Sequence, residues 1–329
     1  MNFDISILDL VPIRRHTGPG EALAASRDLA QEAERLGYKR IWYAEHHNMA
    51  SIGSAATSVV IAYIGAHTAR IRIGAGGIML PNHSPLVVAE QFGTLEALYP
   101  GRVDLGLGRA PGTDRRTVTA LRRSDLYAEH FPDDVLEIQG YLQGPSRVPG
   151  VEAVPGKGSV VPLYILGSSL FGAQLAASYG LPFAFASHFA PAALSQAVAA
   201  YRADFRPSRQ CSGPYVIAGV NVLAAGTHDE AHEQFEQAKR SRIMAMFGRE
   251  RALSEAEVDA ILISPAGRHV EELLTFSAVG TATEVVDYLQ RFAQLSTADE
   301  LMTVHPSPTD EQRLQSVRLL ADAAGLAVP

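Results

Sequence analysis

From one end of this chain to the other, short β-rich apolar runs alternate with amphipathic helical stretches. The runs predict strands at Phe3–Leu10, Arg40–His47, Ile71–Leu80, Val103–Ala110, Leu163–Ser169, Pro182–Phe189, Tyr215–Ala225 and Leu301–His305. Between them, Leu23, Ser26, Ala30, Ala33 and Leu36 recur at helical spacing, and Gly37 supplies a C-terminal stop. Leu194, Val198, Tyr201 and Phe205 form a second stripe, Val285, Leu289 and Phe292 a third, and a last helix opens near Pro308. Alternating β-α order calls for a parallel sheet with right-handed crossovers. A doubly wound open sheet has the same order, but eight strands is the number that closes a barrel. The expected fold is an α/β (β/α)8 TIM barrel.

Two connections are longer than simple connectors. Residues 111–162 carry a predicted helix at Asp133–Leu142 and a Gly/Pro-rich stretch after it. Residues 228–280 are charged and helical over Glu230–Met246 and Ser254–Ile263. They read as insertions after strands 4 and 7 of one barrel domain spanning 1–329, a length that suits this fold. Long loops after barrel strands build or cover the active site, so the second insertion is expected to act as a lid. Surface ornament or a dimer contact is the plain alternative.

Composition excludes several classes. With 47% hydrophobic and 19% charged residues the chain can fill a large core, which argues against disorder. A formal net charge of −7 without a long basic block argues against nucleic acid. Cys211 is the only cysteine, so neither an intrachain disulfide nor a Cys-rich zinc site is available, which fits a reducing cytoplasm. The sequence opens into a strand pattern without a secretory leader, and no apolar run approaches a membrane span. A cytoplasmic protein without membrane contact is expected.

The residues with chemistry sit at predicted strand ends, where this fold places catalysis. The second run ends in Ala44-Glu-His-His47. Side-chain alternation lets at most one of His46 and His47 face the barrel centre, and histidine serves as acid or base near neutral pH. A buried His–Glu pair holding the mouth together is an equal reading, and metal ligation a third. Gly76 and Gly77 in the third run mark either the close approach of a flat ligand or a packing bulge. Arg109, among glycines after the fourth run, suits an anion, or else a salt bridge to Asp104 or Glu45. Gly167, Ser168 and Ser169 precede an Ala-rich helix, where they make either a phosphate site or an ordinary N-cap. Ser187-His188 adds a polar set after the sixth run. No Gly-x-Ser-x-Gly elbow, P-loop or His-Glu-x-x-His helix is present.

Taken in order, Ile41-Trp-Tyr-Ala-Glu-His-His47, Ile73-Gly-Ala-Gly-Gly-Ile-Met-Leu-Pro81, Gly101-Arg-Val-Asp-Leu-Gly-Leu-Gly-Arg109, Leu166-Gly-Ser-Ser169, Phe183-Ala-Phe-Ala-Ser-His-Phe189 and Val279-Gly-Thr-Ala-Thr-Glu-Val285 resemble the bacterial luciferase-like family of flavin-dependent monooxygenases. The resemblance implies a barrel that binds reduced FMN delivered by a separate flavin reductase, and a homodimer. It implies His46 as the acid/base group at the flavin's reactive edge, with Gly76-Gly77 forming a non-proline cis peptide under the ring beside Met79. Arg109, Gly167, Ser168 and Ser169 would hold the phosphate. The implied reaction adds O₂ to reduced flavin, and the resulting C4a-peroxyflavin oxidises a small organic substrate, expected to be apolar; no metal is implied. After His47 the chain reads Asn48-Met-Ala-Ser-Ile52 and lacks the aromatic and acidic residues of true luciferase, so the resemblance does not extend to an aldehyde substrate or to light. Three rivals differ in chemistry: hydride transfer with the deazaflavin F420 on the same barrel, a flavin-binding protein without turnover, and a metallohydrolase built on His46 and Glu45.

Overall fold

The computed structural model describes residues 3–248, 251 and 253–327. Its elements follow one another as β1 (Asp4–Asp9), α1 (Pro19–Leu36), β2 (Arg40–Tyr43), α2 (Thr57–Gly65), β3 (Arg72–Met79), α3 (Pro85–Leu98) and β4 (Val103–Gly108). Next come α4 (Arg115–Ala120), α5 (Phe131–Gln143), β5 (Leu163–Gly167), α6 (Leu170–Tyr179), β6 (Phe183–Phe185), α7 (Leu194–Asp204) and β7 (Val216–Ala224). The chain ends with α8 (His228–Phe247), α9 (Glu255–Leu262), α10 (Pro265–Leu273), β8 (Ser277–Gly280), α11 (Ala282–Ser296), β9 (Glu300–Val304) and α12 (Asp310–Ala324).

Every strand pairing is parallel. The order β6-β5-β4-β3-β2-β1-β9-β7 closes through a β6–β7 pairing, so eight strands make the expected barrel. A ninth strand, β8, lies outside the expectation. It falls at the end of the insertion read at 228–280, beyond its two predicted helices, and pairs with Asn221–Ala224, the part of β7 that runs beyond its partner β6. A four-residue strand carries too short a pattern to be read from sequence.

Period-two alternation divides the side chains of each strand. Ile5, Ile7, Ile41, Leu105 and Ile165 pack with the surrounding helices in the main apolar cluster. Leu8, Trp42, Tyr164, Ala184, Ile217 and Met302 form a separate apolar cluster inside the barrel. A polar layer accompanies it. Arg40 bridges Asp104 at 2.7 Å and Glu300 at 2.9 Å, and Arg72 reaches the other Asp104 oxygen at 2.5 Å. Ser6 and Tyr215 donate to Glu300 and Trp42 Nε1 to Asp104, so these buried charges are paired and hydrogen-bonded. This part of the interior is therefore filled, and barrels of this kind carry their sites at the C-terminal ends of the strands. Among the described residues, no helix is long and apolar enough to cross a membrane.

Candidate active site

Strand β2 stops at Tyr43, four residues short of the predicted His47. Ala44–His47 leave the sheet and turn over the barrel mouth, which separates the two histidines more fully than alternation would. His46 points one way and His47 the other. Ring atom Nδ1 of His46 lies 3.3 Å from the carbonyl of Gly112. A carbonyl only accepts, so this contact puts the proton on Nδ1 and leaves Nε2 as the basic nitrogen. Burial lowers the pKa of His46 against the opposing pull of the Gly112 carbonyl. The ring is thus a neutral base at neutral pH.

His47 serves Glu45. The Glu45 side chain is buried and accepts from His47 Nε2 at 2.7 Å, His83 Nε2 at 2.8 Å and the backbone N–H of Met79 at 3.0 Å. Burial pushes the Glu45 carboxyl upward, yet the histidine and amide donors outweigh it and hold the pKa at about 2. The bond to Glu45 in turn raises the pKa of His47. Ligand atoms of Glu45, His47 and His83 lie within 4.8 Å of one another, the spacing a metal site would have. Both oxygens of Glu45 already accept protein donors, so the cluster is complete as a hydrogen-bonded knot. The buried His–Glu pair weighed from sequence is present, but its histidine is His47. His83, which no motif marked, joins because the turn after β3 brings it back to the mouth.

The Gly76–Gly77 peptide is cis, within a register shift between Ala75 and Ile78 where β3 meets β4. A Cβ on Gly76 would lie 2.7 Å from Leu8 and 2.9 Å from Trp42, and one on Gly77 would lie 2.7 Å from the Gly106 carbonyl oxygen. Close packing alone therefore demands glycine at both positions. The Gly77 carbonyl accepts from Glu45 N–H at 3.2 Å, which ties the bulge to the histidine turn. The Met79 side chain packs where Cβ atoms of Gly108 and Gly112 would otherwise stand.

Arg109 does not make the salt bridge that was the alternative to anion binding. Asp104 is taken by Arg40 and Arg72, and Glu45 by histidines. The Arg109 guanidinium instead lies 4.1 Å from the ring centroid of Phe171, in the first turn of α6, and donates to the Ala128 carbonyl at 3.2 Å. That stacking brings Arg109 beside the β5–α6 turn that holds Gly167, Ser168 and Ser169. Ser169 occupies the N-cap position of α6, yet its side chain makes no capping bond. A guanidinium without an acidic partner, an uncommitted hydroxyl and free N–H groups at a helix start are a donor set that fits phosphate.

His188, after β6, closes the ring of polar residues. Its backbone carbonyl accepts from Asn221 at 2.8 Å, and Ser187 Oγ donates to the Gly219 carbonyl at 2.6 Å. Burial first, then the charges of Arg242 and His46, hold its pKa at about 3. The sequence showed it only as part of a polar strand end.

The family profile described as luciferase-like monooxygenase matches residues 1–299. An Escherichia coli K12 protein described as a luciferase-like monooxygenase is 46% identical over 323 residues, 96% of each chain. Crystalline apo-MsnO8 superposes with a TM-score of 0.88 at 33% identity, covering 99% of both chains. Two more distant structures share the fold over 99% and 98% of this chain. One is the oxygenating constituent of 3,6-diketocamphane monooxygenase from Pseudomonas putida in complex with FMN, at TM-score 0.73 and 15% identity. The other is an F420-dependent secondary alcohol dehydrogenase holding an F420–acetone adduct, at 0.72 and 18%.

Proposed function

The chain belongs to the luciferase-like monooxygenase family, and on that premise we propose that it is an FMN-dependent, two-component enzyme that draws reduced flavin from a separate reductase. One observation carries this reading: Arg109, without an acidic partner, is stacked beside the uncapped Ser169 at the start of α6. That donor set calls for a phosphate, which FMN supplies. FMN, once reduced and bound, contributes the reaction with O₂ that makes an oxidant for an organic substrate.

The residues of the chain then divide the remaining work. Arg109, Ser168 and Ser169 anchor the phosphate, with Gly167 giving the backbone access to it. Gly76, Gly77 and Met79 form the floor beside the histidine turn. His46 offers Nε2 to hold or move a proton, its other nitrogen fixed on Gly112. The Glu45–His47–His83 knot keeps that turn in place. The α8–α10 segment covers the mouth and keeps water out. A homodimer and a cytoplasmic location belong to the same reading.

The test is an anaerobic titration with photoreduced FMN, followed by mixing with oxygenated buffer. Saturable binding of reduced FMN and reoxidation whose rate depends on the protein are expected. Reoxidation at the rate of free flavin would overturn the reading. F420 remains the second cofactor to try, since the same fold holds it in the alcohol dehydrogenase.

A further inference from the structure

Strand β1 runs into a backbone conformation that its residue resists. Val11 stands at φ 52°, in the left-handed region, with its side chain buried. A β-branched residue is rarely found there, and strain of this kind collects at functional sites. Asp9 holds the turn. Its buried carboxylate accepts from the Val11 N–H at 2.8 Å, from Arg313 of α12 at 2.8 Å and from the Ser26 hydroxyl of α1. The Asp9 side chain thus points outward to the helices, away from the barrel interior.

What the turn holds is the loop that carries His46. The Val11 carbonyl accepts from the Gly53 N–H at 2.9 Å, and the Ile13 N–H donates to the Ser51 carbonyl at 2.9 Å. The approach is close: a Cβ on Gly53 would lie 2.9 Å from the Val11 side chain. Next in sequence, the buried Ser54 hydroxyl donates to the Ala44 carbonyl, while the Ala44 N–H donates to the Asp9 carbonyl at 3.2 Å. Both backbone groups of Ala44 are therefore fixed, and residues 45–53 form a loop closed at its base. The tip is tied separately, by Thr113 Oγ1 donating to the His47 carbonyl at 3.1 Å and Asn48 Nδ2 to Asp114 at 2.9 Å. Those bonds flank Gly112, whose carbonyl meets His46 Nδ1.

We infer that Asp9 and Ser54 are positioning residues for His46, holding the strained Val11 turn and the base of the loop so that the ring keeps Nδ1 on Gly112. The inference rests on the monooxygenase reading above, in which His46 holds or moves a proton through Nε2. Which imidazole nitrogen carries the proton is set by the hydrogen bond the other makes, so a loop freed at its base would let the proton pass to Nε2 and silence the base.

The test is heteronuclear NMR of the histidine ring nitrogens in the full chain without flavin, at about pH 8, where the ring is neutral. His46 is assigned by its loss from the spectrum of His46→Ala. Wild type should carry the His46 proton on Nδ1. In Ser54→Ala and Asp9→Asn that preference should fall by about fivefold, the usual worth of one neutral hydrogen bond. Ser54→Ala removes a single hydroxyl, so it reports even if Asp9→Asn, which leaves Arg313 without its acid, fails to fold. Ser296→Ala is the control, since it removes a buried hydroxyl bonded to its own helix at the other end of the barrel, and it should leave His46 as in wild type. A wild-type proton on Nε2, an unchanged His46 in Ser54→Ala, or an equal change in Ser296→Ala would overturn the inference.

A second readout asks whether Ser54 acts through the histidine. Photoreduced FMN is bound and mixed with oxygenated buffer, and reoxidation is followed as O₂ takes both electrons and leaves as hydrogen peroxide. Ser54→Ala should slow reoxidation in wild type but add nothing in His46→Ala, with FMN affinity kept within about twofold. Independent effects of the two changes would overturn the inference, since Ser54 would then act on the flavin or the fold. If wild type binds no FMN, the monooxygenase reading fails by itself, and the NMR result still judges Asp9 and Ser54.

Discussion

Nε2 of His83 lies 2.8 Å from Oε1 and 3.0 Å from Oε2 of Glu45, joining the turn after β3 to the turn after β2 across 38 positions of sequence. His47 holds the same carboxylate from the other side. The turn that carries His46 is therefore fixed by a buried anion shared between two histidines.

Glu45→Gln removes that anion and sets an amide N–H₂ against histidine N–H donors. The expected cost is about 2–3 kcal/mol, the usual size for a buried donor left unsatisfied. Chemical denaturation measures it. In the same variant the raised pKa of His47 should fall back, as read by NMR titration of its ring protons.

Acid should destabilise this protein in two stages. His188 and His305 are each held at about 3 by burial, against an ordinary value of 6.5. The unfolded chain takes up their protons first, so stability present above pH 6.5 is lost as pH falls below it. Glu45 at about 2, against an ordinary 4.5, contributes about 3 kcal/mol that is lost between pH 4.5 and 2. His47 acts the other way: its contribution is full below pH 6.5 and disappears as pH rises through its raised value. Melting temperatures from pH 3 to 9 should therefore fall chiefly on the acid side. A profile flat down to pH 4 would contradict the buried neutral histidines.

Glycine is required at both positions of the β3 bulge, but not equally. Gly77→Ala drives a methyl against the Gly106 carbonyl, part of the backbone, whereas Gly76→Ala meets Leu8 and Trp42 side chains. Both should destabilise by about 1–3 kcal/mol, with the larger loss at Gly77. Urea midpoints for the two variants provide the ordering.

Arg109→Ala should weaken FMN about 10- to 100-fold, the equivalent of one lost charge-assisted pair, and leave riboflavin affinity nearly unchanged. Equal losses for both flavins would show that Arg109 acts on the ring or on the fold.

His46→Ala should bind reduced FMN within a few-fold of wild type, yet oxidise substrate about 10²- to 10⁴-fold more slowly, the usual weight of a positioned acid or base. Full substrate oxidation by a variant that binds FMN normally would remove the role assigned to this histidine.

The sequence by itself determined the barrel, because alternation of strand and helix patterns is a local property that any eight-strand closure must display. It determined the helix faces for the same reason: Ser26, Ala30, Ala33 and Leu36 are all buried on α1, and Gly37 adopts the left-handed cap. It also marked the strand ends where His46, Arg109 and Ser169 stand, since a polar cluster after an apolar run is visible in the chain. Tertiary structure alone decided their company. His83 reaches Glu45 and Phe171 carries Arg109 through packing between segments far apart in sequence. No periodicity encodes such meetings, because hydrogen bonds and charge pairs act over a few ångströms of space and are indifferent to distance along the chain. The short strand β8 and the early end of β2 were decided in the same way, by which backbone neighbours happened to be within hydrogen-bonding reach.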